Sequence, residues 1–174
     1  KSSNPLFRLD YTMWSSPVNS NQTLGQFPPL TSPTRFYSYS TATDEFYSIP
    51  SSTVFTEGSG YLIRMPNNWV SNPATPIVPP AVAPPTPTGP AASWTGVHIG
   101  IPNANNIEIP LNSDNNGYNM VGNPYPGTLS AIPFINDNTI EFEEDISGTL
   151  YFWRRTNSST PGTESNSYYA SFTY

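Results

Sequence analysis

The chain has 174 residues, long enough to bury one substantial core, and a formal net charge of −6 with a sequence pI near 4.5. With only six Lys and Arg it lacks the basic stripe that binding phosphates requires, which disfavours nucleic acid and an anionic membrane surface as partners. It has no cysteine, which excludes disulfides, thiolate metal sites and cysteine nucleophiles, and no apolar run has the length of a membrane span.

Short strands are expected from end to end, because 21 Pro and 11 Gly interrupt any helical periodicity and aromatic or β-branched residues alternate between turn signals. The first is expected over 6–14, leading into Tyr11-Thr-Met13-Trp-Ser-Ser-Pro17. Strands follow over 35–40 (Arg35-Phe36-Tyr37-Ser38-Tyr39), 45–49, 53–55 and, after the turn Glu57-Gly-Ser-Gly60, over 60–65. Residues 72–90, NPATPIVPPAVAPPTPTGP, read as extended polyproline-like chain, an inserted surface loop in preference to an interdomain linker. Beyond it strands are expected over 93–101, 106–111, 118–121, 139–142, 148–154 and 167–173.

Tyr118-Asn-Met120-Val-Gly-Asn-Pro124 repeats the Tyr-x-Met-x-x-x-Pro pattern of Tyr11–Pro17. Each copy leads into an aromatic run, Arg35–Tyr39 then Glu45-Phe46-Tyr47 in the first, Thr149-Leu-Tyr151-Phe152-Trp153 then Ser167-Tyr168-Tyr169 in the second. The pattern points to a diverged internal duplication. The expected fold is all-β: an antiparallel β-sandwich forming a single domain over 1–174, with repeat halves of about 6–71 and 93–174 and the proline-rich insertion at 72–90. The first copy continues through Gly58-x-Gly60-Tyr61-Leu-Ile-Arg64, and the second has no counterpart before Tyr174. Two readings account for the gap: the protein continues past Tyr174, or a neighbouring chain supplies a strand by self-association through an open sheet edge. The start at Lys1 without Met is likewise expected of a processed or excised piece of something longer.

Gly117-Tyr118-Asn-Met-Val-Gly-Asn-Pro-Tyr-Pro126 and Ile146-Ser-Gly-Thr-Leu-Tyr-Phe-Trp153, with Tyr11–Pro17, Arg35–Tyr39 and the stretch from Thr53 to Arg64, resemble a duplicated β-rich region of large secreted Bacteroidota proteins exported by the type IX secretion system. The resemblance covers most of the chain apart from the proline-rich segment. It implies an extracellular or outer-cell-surface location within a long multidomain protein and carries no reaction. In that family a Gly-x-Gly strand follows the second copy.

Candidate binding residues are rings expected at the surface, since flat aromatic faces stack on the apolar faces of sugars. Trp69, in the polar segment Pro66-Asn-Asn-Trp-Val-Ser-Asn-Pro73, leads, followed by Tyr125, Trp94 and Trp153. Trp14, Phe36, Phe55 and Phe152 are expected to be core. Asp137, Glu141, Glu143 and Asp145 form an acidic segment with hard oxygens suited to calcium, although it lacks the spacing and central Gly of an EF-hand, and a solvated charged hairpin is the competing reading. Catalysis finds little footing: His98 is the only histidine and no Gly-x-Ser-x-Gly elbow is present. The expected role is a non-enzymatic extracellular module in adhesion or polysaccharide binding. The alternatives are a self-assembling filament subunit with strand exchange, or an accessory region of a polysaccharide-degrading enzyme.

Overall fold

A computed structural model describes residues 2–6, 10–66, 92–140, 143–144, 146–155 and 167–174. The fold is all-β, and among the described residues the pairing is antiparallel throughout, with one short α-helix. The main sheet has four strands in the order β2 (Tyr11–Trp14), β6 (Tyr61–Arg64), β4 (Phe36–Ser40) and β5 (Glu45–Ser48). Smaller pairs join β1 (Ser2–Leu6) to β7 (Ala92–Thr95), β3 (Val18–Asn19) to β8 (Ile101–Pro102), β9 (Thr139–Ile140) to β10 (Glu143–Glu144), and β11 (Thr149–Arg155) to β12 (Ser167–Thr173).

The two-residue period of a strand sorts the main sheet into two faces. Trp14, Phe36, Tyr61 and Ile63 point one way and join Leu24, Phe27 and Phe55 in a buried cluster, with Ile49 and Trp94 packed against it. Phe27 lies at its centre, edge-on to Trp14 (4.9 Å), Trp94 (5.2 Å) and Phe55 (5.5 Å) and stacked on His98 (4.4 Å). Such ring contacts add roughly 0.5–1.5 kcal/mol each beyond the area they bury. Phe27 is delivered by a 3-10 turn, Leu24–Gln26, whose entry is fixed by Gln26 accepting a hydrogen bond from the Thr23 amide at 2.8 Å. Tyr11, Met13, Tyr37 and Tyr39 occupy the opposite face and are half-buried.

Several expected strands are corrected. Residues 106–111 form no strand among the described residues: Ile107 and Ile109 are half-buried, but their backbone pairs with nothing, so alternation here marks one-sided packing. Residues 118–121 contribute a single bridge, Val121 to Ser59, and 53–55 a single bridge, Val54 to Thr23. The expected strand over 93–101 ends at Thr95, and Val97, Ile99 and Ile101 are 62%, 70% and 77% exposed, so alternation there places the apolar side outward. The expected 6–14 is two strands in different sheets. Helix α1 (Ala131–Asn138) was not expected because Pro133 reads as a breaker; it stands in the first turn, where no intrahelical partner awaits its missing N–H. Residues 72–90 lie outside the described residues.

Candidate functional site

The β4–β5 hairpin turns through Thr41-Ala42-Thr43-Asp44, and Asp44 has a φ of 55°, the left-handed region that Asp tolerates better than most side chains. Its carboxylate is held from both sides. The Tyr39 hydroxyl donates to one oxygen, and the Asn116 amide donates to the other at 2.9 Å. These bonds hold the Asp44 carboxyl below the usual carboxylate range, the Tyr39 contact contributing most. Burial, then the Asp44 hydrogen bond, pushes the Tyr39 phenol up.

The turn also grips the second shared motif. Thr41 donates its hydroxyl to the Tyr118 carbonyl at 2.7 Å. Asn119 folds its own loop by donating to Asn112 and Gly117 and accepting from the Asn112 amide at 3.0 Å. Around this corner stand three rings with large free faces: Tyr118, Tyr151 and Tyr169, 47%, 49% and 44% exposed. Tyr118 meets Tyr151 edge-on at 5.5 Å, and Tyr169 meets Trp153 edge-on at 5.5 Å. The Tyr118 phenol is raised, first by its hydrogen bond to Tyr151; that of Tyr169 is raised by burial and then by the Asp44 charge. The Tyr118 and Tyr169 hydroxyls therefore stay neutral, able to donate and accept, across the physiological range. Chemically the arrangement offers flat apolar faces beside one fixed carboxylate and one fixed amide.

The residues singled out from sequence are scattered. Trp94 packs in the core against Trp14 (5.4 Å) and Phe27. Trp153 donates its indole N–H to the Tyr11 carbonyl at 3.2 Å, pinning β11 to β2. Tyr125 is locked in its turn: its amide donates to the Asn123 side chain (2.9 Å) and its hydroxyl to the Asn105 carbonyl (3.0 Å). Phe152, expected in the core, is 51% exposed. Trp69, Glu141 and Asp145 lie outside the described residues. Asp137 is exposed on α1, Glu143 lies in β10, and among the described residues no three His, Cys, Asp or Glu side chains converge as a metal site would need. Of these, only Trp153 borders the ring cluster. Asp44 and Asn116 were missed because they are distant in sequence; a charged residue in a tight turn between two aromatic strands was the available signal.

Gly122, in the second motif, packs where a side chain has no room: a Cβ there would overlap the Ser15 Cβ and approach the Ser59 carbonyl oxygen to 2.9 Å. The Ser15 hydroxyl donates to the Asn123 carbonyl at 2.9 Å. The second motif is thereby seated on the first half, with Tyr118 beside the Asp44 turn.

Neither the curated proteins nor the solved structures contain a match to the chain. A family model described as a domain of unknown function, DUF8693, matches residues 1–174, so the chain belongs to that family.

Proposed function

We propose that this chain is a non-enzymatic module of a larger cell-surface or secreted bacterial protein and that it acts in adhesion by binding carbohydrate. The observation that carries the reading is the corner at Asp44, where Tyr118 and Tyr169 keep nearly half their surface exposed beside a carboxylate and an amide held in place by Tyr39 and by each other. Rings that stack on the apolar face of a pyranose, with a few pre-placed polar groups for its hydroxyls, suit a saccharide better than a flat apolar partner. The composition agrees: charged residues are 10% of the chain, and a Ser, Thr and Asn surface is at home outside the cell. The type IX secretion resemblance gives the same location.

A glycan array followed by calorimetry on the best hit tests it. Tyr169→Ala and Asp44→Asn are each expected to weaken binding about tenfold or more, the loss of one stacked ring or one charge-assisted hydrogen bond. Binding unchanged in both variants, or no glycan bound at all, overturns the reading.

A further inference from the structure

The two Tyr-x-Met-x-x-x-Pro motifs enter matching surroundings. Tyr11 meets Tyr37 edge-on at 5.8 Å, as Tyr118 meets Tyr151 at 5.5 Å. Two residues further on, Tyr39 meets its cross-strand partner Phe46 at 5.3 Å, as Trp153 meets its partner Tyr169 at 5.5 Å. Tyr37 stands opposite Ser48 and Tyr151 opposite Ser171. At the same distance past Pro17 and Pro124, Thr23 and Ser130 are the N-caps of the 3-10 turn and of α1. The carbonyls of Tyr11 and Tyr118 each accept a hydrogen bond from the other half, from Trp153 and from Thr41.

Among the described residues the halves differ in one strand. In the first, β6 lies between β2 and β4, so the Tyr11–Tyr37 pair meets across it. In the second, Tyr118 and Tyr151 meet with no strand between them among the described residues, and β11 pairs with β12 alone. The Tyr174 amide donates to the Gly148 carbonyl, so even-numbered residues of β11 turn their backbone groups towards β12. Those of Thr149, Tyr151 and Trp153 face away, and none bonds to another backbone group among the described residues. On the far wall, Gly60 donates to Met120 and Gly122 donates to Gly58, which leaves the Val121 amide and carbonyl on the other side. Trp14, at the same place in the first motif, pairs there with β6.

We propose that the halves are copies of one unit and that the flank of β11 turned away from β12 is a slot that accepts one extended segment of β6 chemistry. That segment has a Gly-x-Gly turn, then an aromatic, two aliphatic residues and an arginine. Its amides complete the ladder with Tyr151 and Trp153, and one side-chain row takes the place beside the Tyr118–Tyr151 pair that Arg64 and Leu62, paired with Tyr11 and Tyr37, hold in the main sheet. The other row, of the Ile63 and Tyr61 kind, packs on Leu150 and Phe152, and Phe152 is 51% exposed among the described residues. Recognition is by strand addition and does not rest on the saccharide reading.

The probe is a synthetic peptide with the sequence of residues 56–66, TEGSGYLIRMP, added to the full chain and followed by residue-resolved hydrogen exchange. In the chain alone the Tyr151 and Trp153 amides are expected to exchange fast while Leu150 and Phe152 exchange slowly, and saturating peptide slows the first pair. A peptide carrying proline in place of Leu62 is expected to bind about tenfold more weakly, having lost ladder bonds. Tyr151→Pro, which removes a slot-facing N–H and spares the β12 ladder, is expected to abolish the protection at Trp153 with an unchanged circular dichroism spectrum. Three results each overturn the proposal. The Tyr151 and Trp153 amides already exchange as slowly as Leu150 in dilute protein, so the chain fills its own slot; they become protected on concentrating the protein without peptide, so a second copy is the occupant; or saturating peptide leaves them unchanged.

Discussion

Asp44 concentrates backbone and electrostatic constraint in one residue: a left-handed φ of 55° and a carboxylate bonded to Tyr39 and Asn116. Because those bonds exist only in the folded chain, the folded pKa lies below the unfolded one, near 3.9 for a free Asp. The stabilisation is therefore complete above the unfolded value and is lost as pH falls through the folded one. An NMR titration is expected to place the Asp44 midpoint below that of a free Asp, and Tyr39→Phe is expected to raise it. The Tyr39 phenol has the opposite sign: its folded pKa is raised by burial and by Asp44, so its contribution is full below about pH 10 and disappears as pH rises further. Ultraviolet titration should show the last tyrosine to ionise vanish in Tyr39→Phe and move to lower pH in Asp44→Asn. At Gly122 the constraint is steric. Gly122→Ala has to push back Ser15 and the Ser59 carbonyl, and roughly 1–3 kcal/mol of lost stability is expected in a thermal or urea melt.

At the scale of elements, the 3-10 turn that delivers Phe27 does for the main sheet what a helix does in larger sandwiches: it lays a side chain across the sheet's inner face. Phe27→Ala removes the ring that Trp14, Phe55, Trp94 and His98 share, and a loss of about 3–5 kcal/mol is expected from denaturant unfolding. Elements of this kind were the least legible in the sequence. Strands β4, β5, β6, β11 and β12 were readable because aromatic and aliphatic alternation coincided with backbone pairing. In 106–111 the same alternation records only that Ile107 and Ile109 rest on the body, and in 97–101 it points outward. Helix α1 has Pro133 in the one turn that tolerates it, and a composition-weighted reading sees only the proline. The candidate site was illegible for a different reason: Asp44, the Asn116–Tyr118 loop and Tyr169 converge from three separate stretches, and local pattern carries no record of that meeting.

Over the whole molecule, burial is uneven. Among the described residues, the buried hydrophobic side chains of the core run from Leu6 to Met65, and beyond residue 92 Ile135 alone joins them. Phe152, Tyr151 and Tyr169 are about half-exposed, whereas Phe36 and Ile63 of the main sheet are fully enclosed. Opening free energy follows buried apolar contact, so β4 and β6 are expected to give the slowest amides in native-state exchange, and β11 and β12 to open first and to carry the first proteolytic cuts. Equal protection in the two regions would contradict that ordering. Trp94 spans the sequence gap between the regions: it arrives on β7, beyond the proline-rich stretch, and sets its indole at 86° to that of Trp14, 5.4 Å away. Two indoles so close and so crossed couple their electronic transitions, which gives the protein a built-in optical gauge: a split far-ultraviolet dichroism band that Trp94→Phe erases and that fades when β7 leaves the core, whatever the state of the remaining strands.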